Sequence, residues 1–331
     1  MNETPSNLPP CGGLLADGGP KVGVIYNPRS HRNQGRDLDC VASGNVLVEQ
    51  PATRDDITAA LHLFARENIE YLIINGGDGT VRDVLTCGYA VFGDDWPEVA
   101  VLPKGKTNAL NVDLGAPADW NLAEAIGSLA DGKRIKRHTM KVQAADGSAQ
   151  PRLGFILGAG GFTLGVRAGQ EAHRMGAFNS FAVGATTAWG VLQGLFGGDD
   201  NVWRRGVGIK LELGAERAVF ARSTYGEAAR RFVMMSSTLE KFPVGIKLFG
   251  PEKAGLKIAV VDHPRRRMMA LLPLILAGWN PPWLAEVGVH FVSTDQYVLT
   301  IEDEFILDGE AYPQGRYAVS KGPELSFVVP K

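Results

Sequence analysis

The carboxylates best placed for chemistry in this 331-residue chain are Asp78 and the pair Asp308 and Glu310. Asp78 stands in Gly76-Gly77-Asp78-Gly79-Thr80, after the apolar run Tyr71-Leu72-Ile73-Ile74 and before the helical pattern Val81, Val84, Leu85. A buried strand feeding a glycine turn and then a helix gathers backbone N–H groups and the positive end of a helix dipole at one point, where phosphate can be held. Gly76, Gly77 and Gly79 would let the backbone take φ > 0 and let phosphate oxygens approach closely. Thr80 reads as the N-cap, with Asp83 in the place of a capping-box acid. A carboxylate beside phosphate is unfavourable unless a metal ion or a proton transfer employs it, which marks Asp78 as chemical.

A second turn of the same kind follows the apolar run Val99-Ala100-Val101-Leu102: Pro103-Lys104-Gly105-Lys106-Thr107-Asn108, leading into Ala109-Leu110. By the same physics it is a second strand-to-helix phosphate site, at which either the Thr107 hydroxyl or the Lys106 ammonium contacts the anion. The third motif is Asp308-Gly309-Glu310, after the strand-like Phe305-Ile306-Leu307. In a tight bend both carboxylates can face a cleft, although Asp-Gly is also an ordinary hairpin turn.

The first motif fits neither the Walker loop nor the dinucleotide fingerprint. Together the three resemble the diacylglycerol kinase catalytic superfamily, which includes bacterial lipid kinases and sphingosine kinases and is related to NAD kinases. The resemblance spans nearly the whole chain from Lys21. It implies an α/β nucleotide domain, a β-sandwich after it, and an active site in the cleft between them. It also implies ATP bound by Asn27, Thr53, Gly76, Gly77, Asp78, Gly79, Thr80, Gly105, Lys106, Thr107 and Asn108. Asp78 and Asp308 would face magnesium, and Glu310 would accept the proton of a lipid hydroxyl with Asp308 orienting it. The alternative exchanges Asp78 and Glu310, since in the wider superfamily the Asp of the glycine turn can be the base. Two departures stand out: Lys106 where the family usually has Thr, and Ala254-Gly255-Leu256-Lys257-Ile258 where lipid kinases often carry an acidic stretch for a structural magnesium. Magnesium is therefore expected only with ATP.

The elements that must position these residues follow from hydrophobic pattern. Residues 22–26, 45–48, 71–74 and 99–103 read as strands, and Ile57, Ala60, Leu61 and Phe64 mark a helix capped by Asp55 or Asp56. A further helix carries Leu122, Ala125, Ile126 and Leu129. Such alternation predicts a doubly wound α/β domain over 21–134, after a flexible tail over 1–20. The polar loop Arg29-Ser30-His31-Arg32-Asn33 lies at a strand's carboxyl end, as a weak phosphate contact or a solvated basic turn. From about Ile135 the pattern becomes strand-like, with runs at 139–144, 153–157, 207–213, 232–235, 256–261, 297–301, 317–319 and 325–329. This predicts an antiparallel β-sandwich over 135–331, interrupted by a helical insertion over 163–196. Arg265-Arg266-Arg267 and the apolar run after it, broken at Pro273, read as a membrane-surface element or as a helix covering the sheet.

A net charge of −2 argues against nucleic acid as partner, and 45% hydrophobic residues with 21% charged is ordinary globular composition. Cys11, Cys40 and Cys87 form neither a disulfide framework nor a zinc motif, which fits a reducing cytoplasm, with a peripheral membrane contact expected through the arginine-led element. The expected function is ATP-dependent phosphorylation of a lipid hydroxyl. An NAD kinase is disfavoured because Asn108 is followed by Ala109 rather than an acid, and a non-catalytic nucleotide or lipid sensor is disfavoured by intact Asp78 and Glu310.

Overall fold

The computed structural model describes residues 19–30, 32–33, 44–174, 201 and 204–331. The expected tail up to residue 18, His31, Cys11, Cys40 and the expected insertion from residue 175 to 196 lie outside the described residues. The chain divides into two compact units, Met1–Arg137 with Pro323–Lys331, and His138–Gly322. The last nine residues, expected with the second domain, group instead with the first.

In the first unit, β1 (Val22–Tyr26), β2 (Val46–Glu49), β3 (Tyr71–Gly76) and β4 (Glu98–Pro103) form a parallel sheet in the order β2-β1-β3-β4. Every residue of β1 and β3 is buried, the condition under which strands become uninterrupted apolar runs. Helices cover both faces. On one, Leu122, Ala125 and Ile126 of α4 (Leu122–Asp131) pack with Val24, Tyr26, Ile73, Leu102 and Trp120, and Val328 from the C-terminal segment completes the cluster. On the other lie α1 (Arg54–Arg66) and α2 (Asp78–Phe92), whose Leu61, Phe64, Val84 and Leu85 are fully buried. A Cβ at Gly23 would sit 2.8 Å from Phe64 and Ile69, so the strand carries glycine where α1 comes closest. Burying Phe64 contributes roughly 1.5–3 kcal/mol. Because β1 pairs with β2 on one side and β3 on the other, the chain order reverses there, and ligands of such sheets bind outside the strand ends at this point.

Thr53, not Asp55 or Asp56, caps α1. Its hydroxyl accepts the Asp56 N–H at 3.2 Å, while the Asp56 carboxylate accepts the Thr53 N–H at 3.0 Å. Asp56 is thus the acid of a capping box, one turn further in.

In the second unit, β5 (Lys133–Ala144, beginning in the first unit), β6 (Arg152–Gly154), β7 (Ile156–Gly160), β8 (Val207–Leu213), β9 (Ala218–Val219) and β10 (Arg230–Arg231) are followed by β11 (Val233–Ser237) and β12 (Leu256–Val261). Then come β13 (Val289–Thr294), β14 (Gln296–Ile301), β15 (Phe305–Leu307), β16 (Glu310–Tyr312) and β17 (Gly315–Val329). One sheet runs β10-β8-β14-β17, with β5 also on β17; the other runs β13-β12-β11-β7-β15-β16. Met140, Leu211, Tyr297 and Val319 from the first meet Leu157, Met234, Leu256 and Phe305 from the second in one core, so the unit is an antiparallel sandwich.

Three expectations change here. Residues 317–319 and 325–329 are parts of one strand, β17, and 153–157 is split at Phe155 because the Phe155 and Ile156 amides leave the ladder to bond Asp308. A helix, α5 (Gly161–Arg174), opens the expected insertion. The helix after the arginines, α6 (Arg266–Leu276), runs through Pro273 rather than ending there. It buries Met268 and Ile275 with Leu284 and Val289, and this packing offsets the ladder bond that proline cannot make.

Candidate active site

The glycine turn lies where β3 ends. Its helix begins earlier than the sequence suggests: Gly77 is the N-cap and Asp78 the first helical residue, so Thr80 stands inside the first turn. Thr80 accepts a hydrogen bond from Asn27 Nδ2 at 2.8 Å, tying the end of β1 to α2. Asp83, free of capping duty, takes two guanidinium groups on one oxygen, Arg54 at 2.8 Å and Arg82 at 2.9 Å.

The amides of Asp78, Gly79 and Thr80 precede the first bond of α2, Val81 N–H to Gly77 O at 3.0 Å, and have no partner among the described residues. They form an open N-terminus suited to an anion. Beside it is a cavity of about 310 Å³, walled by Asn27, Arg29, Thr53, Arg54, Thr80 and Asp83 among others. Three of the expected nucleotide residues, Asn27, Thr53 and Thr80, thus share one wall-to-wall space. Of the basic loop, Arg29 joins them, whereas Arg32 donates to the Ala118 carbonyl at 3.0 Å.

The glycines act differently from expectation. None of Gly76, Gly77 and Gly79 has positive φ. A Cβ on Gly76 would lie 2.5 Å from the Thr80 side chain, and one on Gly77 would lie 2.8 Å from the Gly105 Cα. These two positions are glycine because the chain packs on itself. Gly79 alone faces open space, its nearest neighbour being Arg82 Nη2 at 3.9 Å.

The second turn is locked to the first. Asn108, in left-handed conformation (φ 50°), accepts the Gly105 N–H at 2.8 Å and donates to the Gly105 carbonyl at 3.0 Å. The Asp78 carboxylate then accepts the N–H groups of Asn108 and Ala109, each at 2.9 Å. Those amides open the short helix α3 (Ala109–Leu114) and are the donors a phosphate would have needed, so this turn is not a copy of the first. Lys106 and Thr107 remain exposed at its tip.

Asp308 and Gly309, with φ of 43° and 83°, form the two-residue loop between β15 and β16. The Asp308 carboxylate accepts the Phe155 N–H at 2.8 Å and the Ile156 N–H at 2.9 Å, and Glu310 accepts the Tyr312 hydroxyl at 2.7 Å. Both carboxylates expected at magnesium thus take backbone N–H groups on each oxygen, and among the described residues no three His, Cys, Asp or Glu side chains gather as a metal site. A caged metal does not fit this donor set; an ion carried by nucleotide phosphates needs no cage.

Sequence reasoning missed Asn75. It is fully buried at the end of β3, and neither polar atom of its side chain has a partner among the described residues. Leaving such a group unpaired costs about 1–3 kcal/mol. An amide closing an apolar run beside a glycine turn was the available signal.

A two-unit chain of this kind, a doubly wound domain with an anion-ready turn and an antiparallel sandwich, has counterparts among solved structures. A diacylglycerol kinase of Bacillus anthracis str. Sterne is 17% identical, with TM-score 0.64 over 93% of this chain and 96% of that one. Two candidate diacylglycerol kinases from the same strain align with TM-scores of 0.64 and 0.61, at 18% and 17% identity, each over 93% of this chain and over 96% and 97% of theirs. These likenesses establish the fold. A search of curated proteins finds no match by sequence. Residues 21–142 match the family model of the diacylglycerol kinase catalytic domain.

Proposed function

We propose that the protein is an ATP-dependent lipid kinase, moving the γ-phosphate of magnesium-bound ATP to a lipid hydroxyl of diacylglycerol or sphingoid type. The observation that carries this reading is the open N-terminus of α2 beside the cavity walled by Asn27, Thr53 and Thr80. When bound, magnesium ATP supplies the phosphoryl group and neutralises part of its charge. The amides of Asp78, Gly79 and Thr80 hold phosphate oxygens, and the open side of Gly79 lets them approach. Arg29 adds positive charge at the cavity wall, while the Asn27–Thr80 bond keeps that wall in place. Asp78 is a positioning residue that holds the second turn, with Lys106 and Thr107, against the first.

The lipid oxygen forms its bond to phosphorus as the bond to the ADP oxygen breaks, and its proton passes to Glu310. The resemblance of Asp308-Gly309-Glu310 to the family's motif supports this assignment. In a loose transition state the base contributes modestly. The test is thin-layer detection of labelled phosphate moved from ATP to extracted lipids, with NAD as the competing acceptor. Label in a lipid band is expected; label in NADP alone or nowhere overturns the reading. Glu310→Gln should lower turnover by roughly 10²-fold with ATP affinity little changed. If that variant turns over normally, Glu310 is not the base.

A further inference from the structure

Four large apolar side chains stand out of the second unit on neighbouring segments. Val244 is 98% exposed, Leu274 53%, Trp279 42% and Trp283 38%. Leu274 lies on α6 and Trp279 just past its end, where the Trp279 N–H donates to the Leu274 carbonyl at 3.0 Å. Trp283 meets Trp279 edge to face at 5.5 Å. The Val244 loop is joined to the same place, because the Lys247 N–H donates to the Leu276 carbonyl at 2.7 Å and the Lys247 side chain lies 3.3 Å from where a Cβ on Gly278 would be.

Val244 is the most unusual of them. It sits at φ 59°, ψ 14°, a left-handed conformation that a β-branched residue rarely adopts, between Pro243 and Gly245. A strained valine held almost wholly in solvent is unfavourable twice over, once in backbone and once in hydration. Among the described residues only two turn bonds span it, Gly245 N–H to the Phe242 carbonyl at 3.1 Å and Ile246 N–H to the Pro243 carbonyl at 3.4 Å, and neither buries the side chain, which points to a partner outside the chain.

The charge around these residues says which partner. The inner face of α6 is anchored by Met268 and Ile275, and its exposed positions are Arg266, Arg267, Ala270, Pro273 and Leu274. That outer face bears two arginines and no carboxylate, while Glu240 and Glu286 are exposed on the segments that carry Val244 and Trp283. Arg265, at the head of the helix, lies over the Tyr225 ring at 3.8 Å, and Lys247 is exposed beside the loop. Tryptophans at an edge, aliphatic tips beyond them and arginines flanking them are the chemistry of an anionic bilayer surface: tips enter the acyl boundary, indoles sit at headgroup level and guanidinium groups meet phosphates. Among the described residues no helix is long and apolar enough to cross a membrane, so the contact is peripheral.

We infer that α6, the Val244 loop and the Trp279–Trp283 pair form a docking surface for anionic lipid bilayers. This deepens the lipid-kinase reading by naming the surface that would bring the chain to its acceptor, and it is tested apart from phosphoryl transfer.

The experiment is co-sedimentation of the full chain, without nucleotide, with vesicles of phosphatidylcholine and phosphatidylglycerol in equal parts, and with phosphatidylcholine alone, at low and high salt. Sedimentation with the anionic vesicles, weakened by salt, is expected. Replacing Arg266→Gln and Arg267→Gln together should weaken it on the order of tenfold, with melting temperature unchanged. Val244→Gly should also weaken binding while raising the melting temperature, because glycine relieves the left-handed strain. A merely structural role predicts no loss of binding from that substitution. The inference is overturned if the wild-type chain stays in the supernatant with anionic vesicles, if the variants bind as it does, or if the surface proves to pair two copies, shown by a dimer that Val244→Gly dissociates without vesicle binding. If the chain binds vesicles yet phosphorylates no lipid dispersed in detergent, the kinase reading fails and the surface stands.

Discussion

The carboxylate of Asp78 lies between two strand ends and receives the backbone N–H groups of Asn108 and Ala109, each at 2.9 Å. Residues thirty positions apart are joined by one side chain where the two turns approach, a Cβ on Gly77 falling 2.8 Å from the Gly105 Cα. Asp78→Asn keeps only one acceptor and points an NH₂ at the other N–H. The loss should be about 1–3 kcal/mol, read by urea unfolding, together with reduced phosphoryl transfer. A variant as stable as the wild type would show that the joint contributes no stability and that Asp78 serves chemistry alone.

Gly77 and Gly79 make opposite predictions. Gly77→Ala puts a Cβ 2.8 Å from the Gly105 backbone and should destabilise by roughly 1–3 kcal/mol as the turns are forced apart. Gly79→Ala meets open space, so folding stability should hold or rise slightly, by up to about 1 kcal/mol. Its methyl group occupies the approach to the α2 amides, and ATP affinity should fall. Calorimetric titration with ATP beside thermal melts of both variants separates packing from access; equal ATP binding by Gly79→Ala and wild type would remove the proposed phosphate path.

Asp308→Ala removes the acceptor for two amides of the β6–β7 break and leaves alanine at φ 43°. A destabilisation of about 2–4 kcal/mol is expected from the two effects together. Asp308→Gly, which tolerates the backbone, should recover part of it. If both variants melt alike, the turn conformation carries no strain.

Asp262 is fully buried and accepts from Arg231, from the Ser223 N–H at 2.8 Å and from His290 Nε2 at 2.9 Å. Burial pushes its carboxyl up, but His290, the Ser223 amide and Arg231 together hold it below its ordinary 3.8. A carboxyl so depressed stabilises the fold above the unfolded value and loses that contribution as pH falls through the folded one. Stability should therefore decline below about pH 4 in the wild type, and less steeply in Asp262→Asn. At neutral pH that variant leaves the Arg231 guanidinium buried without its counter-charge, a cost of about 3–5 kcal/mol. Urea unfolding of both proteins across this pH range checks the sign; parallel curves would mean that Asp262 does not set the acid limit.

The alternation of apolar runs and amphipathic stretches determined the layout of the first unit, because a strand buried on both faces must be apolar throughout. The runs at 22–26, 207–213 and 256–261 coincide with β1, β8 and β12. The glycine-rich turn was legible as a strand-to-helix corner, because Gly there lets other chain segments come close, as Thr80 does at Gly76 and Gly105 at Gly77. Tertiary structure decided what those residues touch. Whether Gly77 or Thr80 caps α2 depends on Asn27, which claims the Thr80 hydroxyl from another strand. Whether the second turn offers its amides depends on Asp78, which already holds them. That Pro273 lies within α6, and that 317–329 is one strand, rest on neighbours outside the element: Leu284 and Val289 for the helix, the distant Val99 for the strand. Periodicity records only which side of an element is apolar. Partner, register and the capture of one backbone by another side chain are set when distant segments meet, where a single carboxylate can serve a ligand or a loop.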